Sequence, residues 1–130
     1  SRAATHFGAD VGLKWPNDLW GRCQGEYGKV AGILAEGLSG GNVSVGIGVN
    51  LSQRFDNSPY PVFNLSECGA TVEYPQLLAE LVFQINSVCD QFKNSGVSPF
   101  LKEWEERSWM IGSLITTDLR GEELRGTVLG

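Results

Sequence analysis

The sequence is short of several things, and each shortage excludes something. Its 130 residues hold three cysteines, Cys23, Cys68 and Cys89, and a single histidine, His6. The cysteines are odd in number and widely spaced, with no CxxC or Cys/His pattern, and His6 has no obvious partner. There is no zinc motif or disulfide framework to read, and the thiols are expected to be reduced and packed as small apolar residues. Blocks of lysine or arginine are missing too. Ten basic against fifteen acidic residues give a net charge of −5, which disfavours a nucleic-acid footprint within this chain. No apolar run approaches the ~20 residues of a bilayer span, and no basic-then-apolar leader opens the chain. The expected protein is soluble and cytoplasmic, without membrane contact. An initiating methionine is also lacking. The chain opens on Ser1-Arg2-Ala3-Ala4 as if inside a helix and closes on Val128-Leu129-Gly130 in strand character, so it reads as a fragment.

What is present suits a folded domain, since 42% hydrophobic residues are enough to form a core. Residues 2–8 read as a helix tail stopped by Gly8. Val11-Gly12-Leu13-Lys14 reads as a short buried strand that delivers Trp15-Pro16-Asn17-Asp18 into a turn, because proline fixes its own φ and disfavours helix at the residue before it. Gly21 to Gly28 is polar and glycine-rich, which predicts a hairpin loop. Val43, Val45, Ile47, Val49 and Leu51 then alternate with Ser44, Gly46, Gly48 and Asn50, giving one core face and one nearly bare face. With a turn at Ser39-Gly40-Gly41-Asn42, residues 29–38 and 43–51 should form an antiparallel hairpin. Pairing Leu38 with Val43 places Leu34 opposite Ile47 and Ala31 opposite Asn50. That register puts Lys29, Ala31, Ile33 and Ala35 on the face of Gly46, Gly48 and Asn50.

From Pro75 the period becomes helical. Leu77, Leu78, Leu81, Val82, Ile85, Val88, Cys89 and Phe92 make one apolar stripe, in a helix that runs to about Asn94 and stops at Gly96. Leu78, Leu81, Val82, Ile85 and Cys89 should be buried against the back of the sheet. Ser98-Pro99 predicts the start of a second helix through about Arg107, with Ser98 as its cap. Trp109 to Leu119 and Leu124 to Val128 return to strand character about a turn at Asp118-Leu119-Arg120-Gly121. A hairpin-rich sheet followed by helices indicates an α+β fold with a mixed or antiparallel sheet backed by helices.

The residues that carry chemistry are Lys14, Asn17 and Asp18 at a strand end, Lys29 on a following strand and Asn50 beyond it. Singly each has an ordinary reading, as a solvated lysine, a turn or a strand terminator. Together they suit an anionic ligand with a heterocycle. Ammonium groups balance phosphate or carboxylate charge, amides offer donor and acceptor to a base edge, and Asp18 offers oxygen to Mg²⁺. Bare Gly46 and Gly48 would let a flat ligand approach the backbone.

"GLKWPNDLW", followed by "GKVAGILAEG" and "VSVGIGVNLS" at this spacing, resembles the catalytic domain of the biotin–protein ligases, over essentially the whole chain. The resemblance implies a class II synthetase-like catalytic domain, incomplete here, over residues 1–108. The start of a small SH3-like β-barrel, also cut short, would occupy 109–130. It implies ATP-dependent formation of biotinyl-5′-AMP, then transfer of biotin to a lysine of a biotin carboxyl carrier domain of acetyl-CoA carboxylase or a related carboxylase, with biotin, ATP and Mg²⁺ as ligands. By the same resemblance Lys29 and Asp18 are catalytic, Lys29, Asn17, Asn50, Gly32 and Gly48 bind ligand, Asp18 serves the metal, and Lys14 and Trp15 support the loop. The family's upstream Gly/Arg-rich loop and Ser/Thr-rich strand are not in this sequence, so the isolated fragment is expected to be inactive. Lipoate or octanoate ligation on a related fold is the competing enzyme reading, and a non-catalytic fragment pairing through an exposed sheet edge, as a homodimer, is the other. Contact with nucleic acid would need an additional N-terminal domain.

Overall fold

The computed structural model describes residues 1–53 and 58–129. A short helix α1 (Arg2–His6) precedes four strands, β1 (Val11–Lys14), β2 (Asp18–Cys23), β3 (Glu26–Gly37) and β4 (Val43–Val49), which form an antiparallel sheet in the order β1-β2-β3-β4. Helices α2 (Tyr74–Ser95) and α3 (Ser98–Arg107) follow, and strands β5 (Leu114–Leu119) and β6 (Glu122–Thr127) close a separate two-stranded hairpin. The α+β arrangement is as the sequence predicts.

Local chemistry explains most of the boundaries. Residues 15–17 turn β1 into β2 through a cis Trp15–Pro16 bond, with Lys14 opposite Asp18. The segment expected to be a loop, Gly21 to Gly28, is instead the end of β2 and the start of β3. Only Gln24 and Gly25 turn, both at positive φ (51° and 89°), the conformation that a two-residue hairpin favours. Glu73 caps α2 reciprocally with Gln76. Helix α3 includes Ser98 as its first residue rather than as its cap, and that side chain makes no capping bond. Residues from Trp109 to Ser113 lie outside the C-terminal strands, and the second hairpin turns at Arg120-Gly121.

The β3–β4 register differs by one residue from the sequence expectation. The loop holds five residues, Leu38 to Asn42, closed by Leu38 N–H donating to Asn42 O at 2.8 Å. Gly37 therefore pairs with Val43, Ile33 with Ile47 and Ala31 with Val49. A shift of one residue exchanges the faces, so Ala31, Ile33 and Ala35 share the side of Val49, Ile47 and Val45 and not that of the glycines. Asn50 lies just past β4.

The core packs on that side. Val30, Ala31, Leu19, Val11, Leu65, Cys68, Ala70, Ala3, Ala4 and Leu77 are buried, with Val30 and Leu65 fully enclosed. Of the α2 stripe, Leu77 is buried and Leu81 half-buried, while Leu78, Val82, Ile85 and Cys89 are exposed, against expectation. Val43 and Val45 are exposed as well, so only the Ile47 to Leu51 part of that face is covered. Periodicity identifies which face of a helix or strand is apolar. It does not say how far a neighbour extends over it. Arg2 ties α1 to α3 through Glu103, which also accepts from Arg107 Nε at 2.9 Å. His6 Nδ1 stands 3.8 Å from Glu80 Oε1, too far for a hydrogen bond.

Candidate active site

Four residues at matched positions form a row across the sheet. Lys14 lies opposite Asp18, Asp18 opposite Gly32, and Gly32 opposite Gly48. Directly opposed residues in antiparallel strands point to the same face, and neighbouring strands are ~4.8 Å apart. The row thus presents a cation, a carboxylate and then two bare positions.

Lys29 joins this row because of an irregularity in β3. Leu19 pairs with Ala31 but Trp20 pairs with Lys29, which leaves Val30 as the extra residue of a β-bulge. Val30 turns into the core, and Lys29 emerges on the face of Gly32 rather than that of Ala31. Its Nζ reaches Asp18 Oδ1 at 2.6 Å, with the lysine side chain 27% and the aspartate 18% exposed. A Cβ at Gly32 would stand 3.3 Å from both Cε and Nζ of Lys29. Glycine at 32 therefore leaves the space in which the ammonium lies. At Gly48 a Cβ would meet nothing within 4 Å, so the surface there is open backbone.

The backbone at Lys29 is held on the side away from β2. Its N–H donates to Pro61 O (2.9 Å), and its carbonyl accepts from Phe63 N–H (3.0 Å) and from Asn50 Nδ2 (3.3 Å). Asn50 Nδ2 also lies 3.2 Å from Phe63 O, and Asn50 O accepts from Leu65 N–H at 2.8 Å. Residues 61–63 thus extend the β4 side of the sheet and run parallel to β3 beside the bulge. Sequence reasoning missed this segment, which has no strand-like alternation of its own. A second device it missed is Asn64, a buried polar residue whose Oδ1 accepts from Ser66 Oγ (2.7 Å) and Glu67 N–H (2.9 Å) and so fixes the turn after Phe63.

The proposed ligand-binding residues divide accordingly. Lys29, Asp18, Gly32 and Gly48 are brought together. Asn50 does not stand beside the Lys29 ammonium as the register expected from the sequence implied, because its amide is spent on the backbone that carries Lys29. Asn17 Nδ2 donates to Ile33 O at 2.8 Å and Ile33 N–H to Asn17 O at 2.9 Å, which staples the β1–β2 turn onto β3. Lys14 points the other way along the row, with its Nζ 4.6 Å from the Trp20 ring centroid. It lines a cleft of about 440 Å³ with Trp20, Tyr27, Trp109 and Met110.

This geometry fits one kind of chemistry. A half-buried ammonium held by a carboxylate above open backbone suits an anion that lies flat on the sheet. Among the described residues no group of three or more His, Cys, Asp or Glu side chains could hold a bare metal ion. A single carboxylate is nevertheless what Mg²⁺ needs when phosphate oxygens and water complete its shell.

The sheet order and the helices that accompany it are those of the biotin protein ligase fold. The chain superposes on the crystal structure of biotin protein ligase from Aquifex aeolicus with a TM-score of 0.80 at 26% identity, over 100% of this chain and 58% of that one. On the same ligase in complex with biotin and ATP the TM-score is 0.78 at 25% identity, over 98% of this chain and 54% of that one.

In sequence the chain is 30% identical over 131 residues to the bifunctional ligase/repressor BirA of Salmonella typhimurium, covering 95% of this chain and 40% of that protein. It is 31% identical over 114 residues to the biotin–[acetyl-CoA-carboxylase] ligase of Mycobacterium tuberculosis, covering 87% of this chain and 41% of that protein. No family model matches. The chain is thus related to the biotin protein ligases along nearly all of its length and shares their fold, and it spans about 40% of the length of these two relatives.

Proposed function

We propose that the complete protein carrying this chain attaches biotin to a lysine of a biotin carboxyl carrier domain of acetyl-CoA carboxylase or a related carboxylase, by way of biotinyl-5′-AMP. The observation that carries this reading is Lys29, placed by the Val30 bulge beside Asp18 and over Gly32 and Gly48. In the first half-reaction the biotin carboxylate attacks the α-phosphate of ATP and pyrophosphate leaves. Nucleophile and electrophile are both anionic, and at an effective dielectric near 20 two unit charges ~4 Å apart repel by roughly 4 kcal/mol. A fixed ammonium between them offsets much of that and stabilises the charge that develops at phosphorus. In the second half-reaction the acceptor amine displaces AMP, and the same ammonium faces the departing phosphate.

Asp18 holds Lys29 in place. It is also the carboxylate available to Mg²⁺ that arrives bound to the nucleotide. Asn17 and Asn50 act through the backbone, one fixing the turn and the other the bulge, and so keep the ligand-facing groups in register. Residues 1–108 form the catalytic part, and the β5–β6 hairpin within 109–130 is the start of a small β-barrel. Strand β4 ends the sheet and leaves Val43 and Val45 exposed, which favours pairing of two copies along that edge. No helix among the described residues is long and apolar enough to cross a membrane, and dependence on ATP and a carboxylase partner favours the cytoplasm. The test is biotin-dependent exchange of pyrophosphate into ATP by the complete protein, followed by labelling of a purified carrier domain. Exchange that responds to lipoate or octanoate and not to biotin would overturn the assignment.

A further inference from the structure

The β1–β2 turn is held from a second side by residues that the reaction itself does not call on. Strand β1 is the other edge of the sheet, and residues 108–110, between α3 and β5, lie along it. Leu13 and Ser108 form a parallel bridge, and Trp109 N–H donates to Leu13 O at 3.1 Å. The Trp109 indole fills the notch over Gly12, where any Cβ would overlap it, and meets Tyr27 edge-on at 5.0 Å between centroids. The next contact departs from a strand ladder. Trp109 O accepts from Ser113 Oγ at 3.3 Å, and Trp15 N–H donates instead to the sulfur of Met110 at 3.1 Å.

We infer that Met110, the only methionine of the chain, is a positioning residue: its thioether accepts the Trp15 amide and fixes the path of the turn that joins Lys14 to Asp18. Trp15 follows Lys14 directly and precedes the cis Pro16, so the amide on which Met110 acts stands between the two side chains of the row. Asn17 anchors the far end of the turn to β3, and Met110 anchors the near end to the segment that leads into the C-terminal hairpin. A thioether is a weak acceptor on a flexible stem. It can hold the amide without taking up the directional demand of a carbonyl.

This inference rests on the biotin ligase reading for its catalytic half only. Two variants test it, Met110→Leu, which keeps the bulk and removes the acceptor, and Met110→Gln, which restores an acceptor oxygen at similar length. The first readout is hydrogen exchange at the Trp15 amide under native conditions. The second is single-turnover formation of biotinyl-AMP by the complete protein. Met110→Leu should speed exchange at Trp15 about three- to fivefold, the scale of one modest hydrogen bond. It should slow adenylate formation by a similar factor with KM for biotin unchanged, and Met110→Gln should recover both. Unchanged exchange and rate in Met110→Leu, or a Met110→Gln protein as impaired as Met110→Leu, would overturn the proposal. Absence of adenylate formation from the unsubstituted protein would overturn the functional reading and the catalytic half with it. The exchange result would still decide whether Met110 holds the turn.

Discussion

Lys29 Nζ lies 2.6 Å from Asp18 Oδ1, although the two residues belong to different strands and Lys29 is three positions from the residue that pairs with Asp18. In an unbroken strand, residues three apart face opposite sides. The extra residue Val30 corrects the parity, and the ion pair is the outcome.

Glycine at 32 leaves room for that pair. In Gly32→Ala the new methyl stands 3.3 Å from the Lys29 amine and displaces it. Adenylate formation should fall by roughly tenfold, less than the ~10² that a misplacement of about 1 Å can cost, because the ammonium need shift only by a few tenths of an ångström, with little change in melting temperature. Gly48→Ala meets no atom within 4 Å and should also fold normally, but its methyl stands on the open floor. It should raise KM more than it lowers kcat. Steady-state kinetics of the two variants, beside their thermal melts, check this.

The position of the turn was legible in the sequence because proline and the short apolar run before it leave few alternatives. The bare face of β4 was legible because Gly46 and Gly48 fill alternate positions between valines and isoleucine, although only Gly48 falls in the row with Gly32. The register was not. Loop closure at Leu38–Asn42 depends on φ/ψ choices at Gly40 and Gly41 that composition does not express, and one residue of loop length exchanges every side chain between faces. The Val30 bulge was equally hidden, since Val reads as an ordinary strand residue. The two departures offset each other for Lys29, which lies over the glycines as expected, but not for Ala31, Ile33 or Ala35. The contacts of Asn50 were not legible, because the backbone groups that its amide meets come from residues 29 and 63.

The α1–α3 junction should be acid-sensitive. The Arg2 guanidinium hydrogen-bonded to Glu103 holds that carboxyl below its ordinary value of 4.5, against an opposing effect of burial. A depressed carboxyl pKa gives stability that is fully present above 4.5 and lost as pH falls through the folded-state value. Urea denaturation between pH 6 and pH 3 should show a steeper loss for the unsubstituted protein than for Glu103→Gln. Equal slopes would mean that the pair contributes nothing across this range.

The three thiols should separate by reactivity. Cys89 is exposed, Cys23 half-buried and Cys68 buried, and burial pushes the Cys68 thiol up to about 11. Because the thiolate is the nucleophile, a thiol reagent at pH 8 should label Cys89 quickly and Cys68 only after unfolding. Mass spectrometry of the labelled peptides reads the order. Rapid native labelling of Cys68 would contradict the core described around Val30 and Leu65.

The central claim is that the cation of this site is Lys29 and that Lys14 supports the turn. Single-turnover formation of biotinyl-AMP and its transfer to a purified carrier domain, compared in Lys29→Ala and Lys14→Ala forms of the complete protein at equal folded concentration, tests it most directly. Loss of one preorganised electrostatic donor costs about 10²–10³ in rate. Lys29→Ala should therefore slow both steps by that order, and Lys14→Ala should slow them less. A Lys14→Ala protein more impaired than Lys29→Ala would contradict the account.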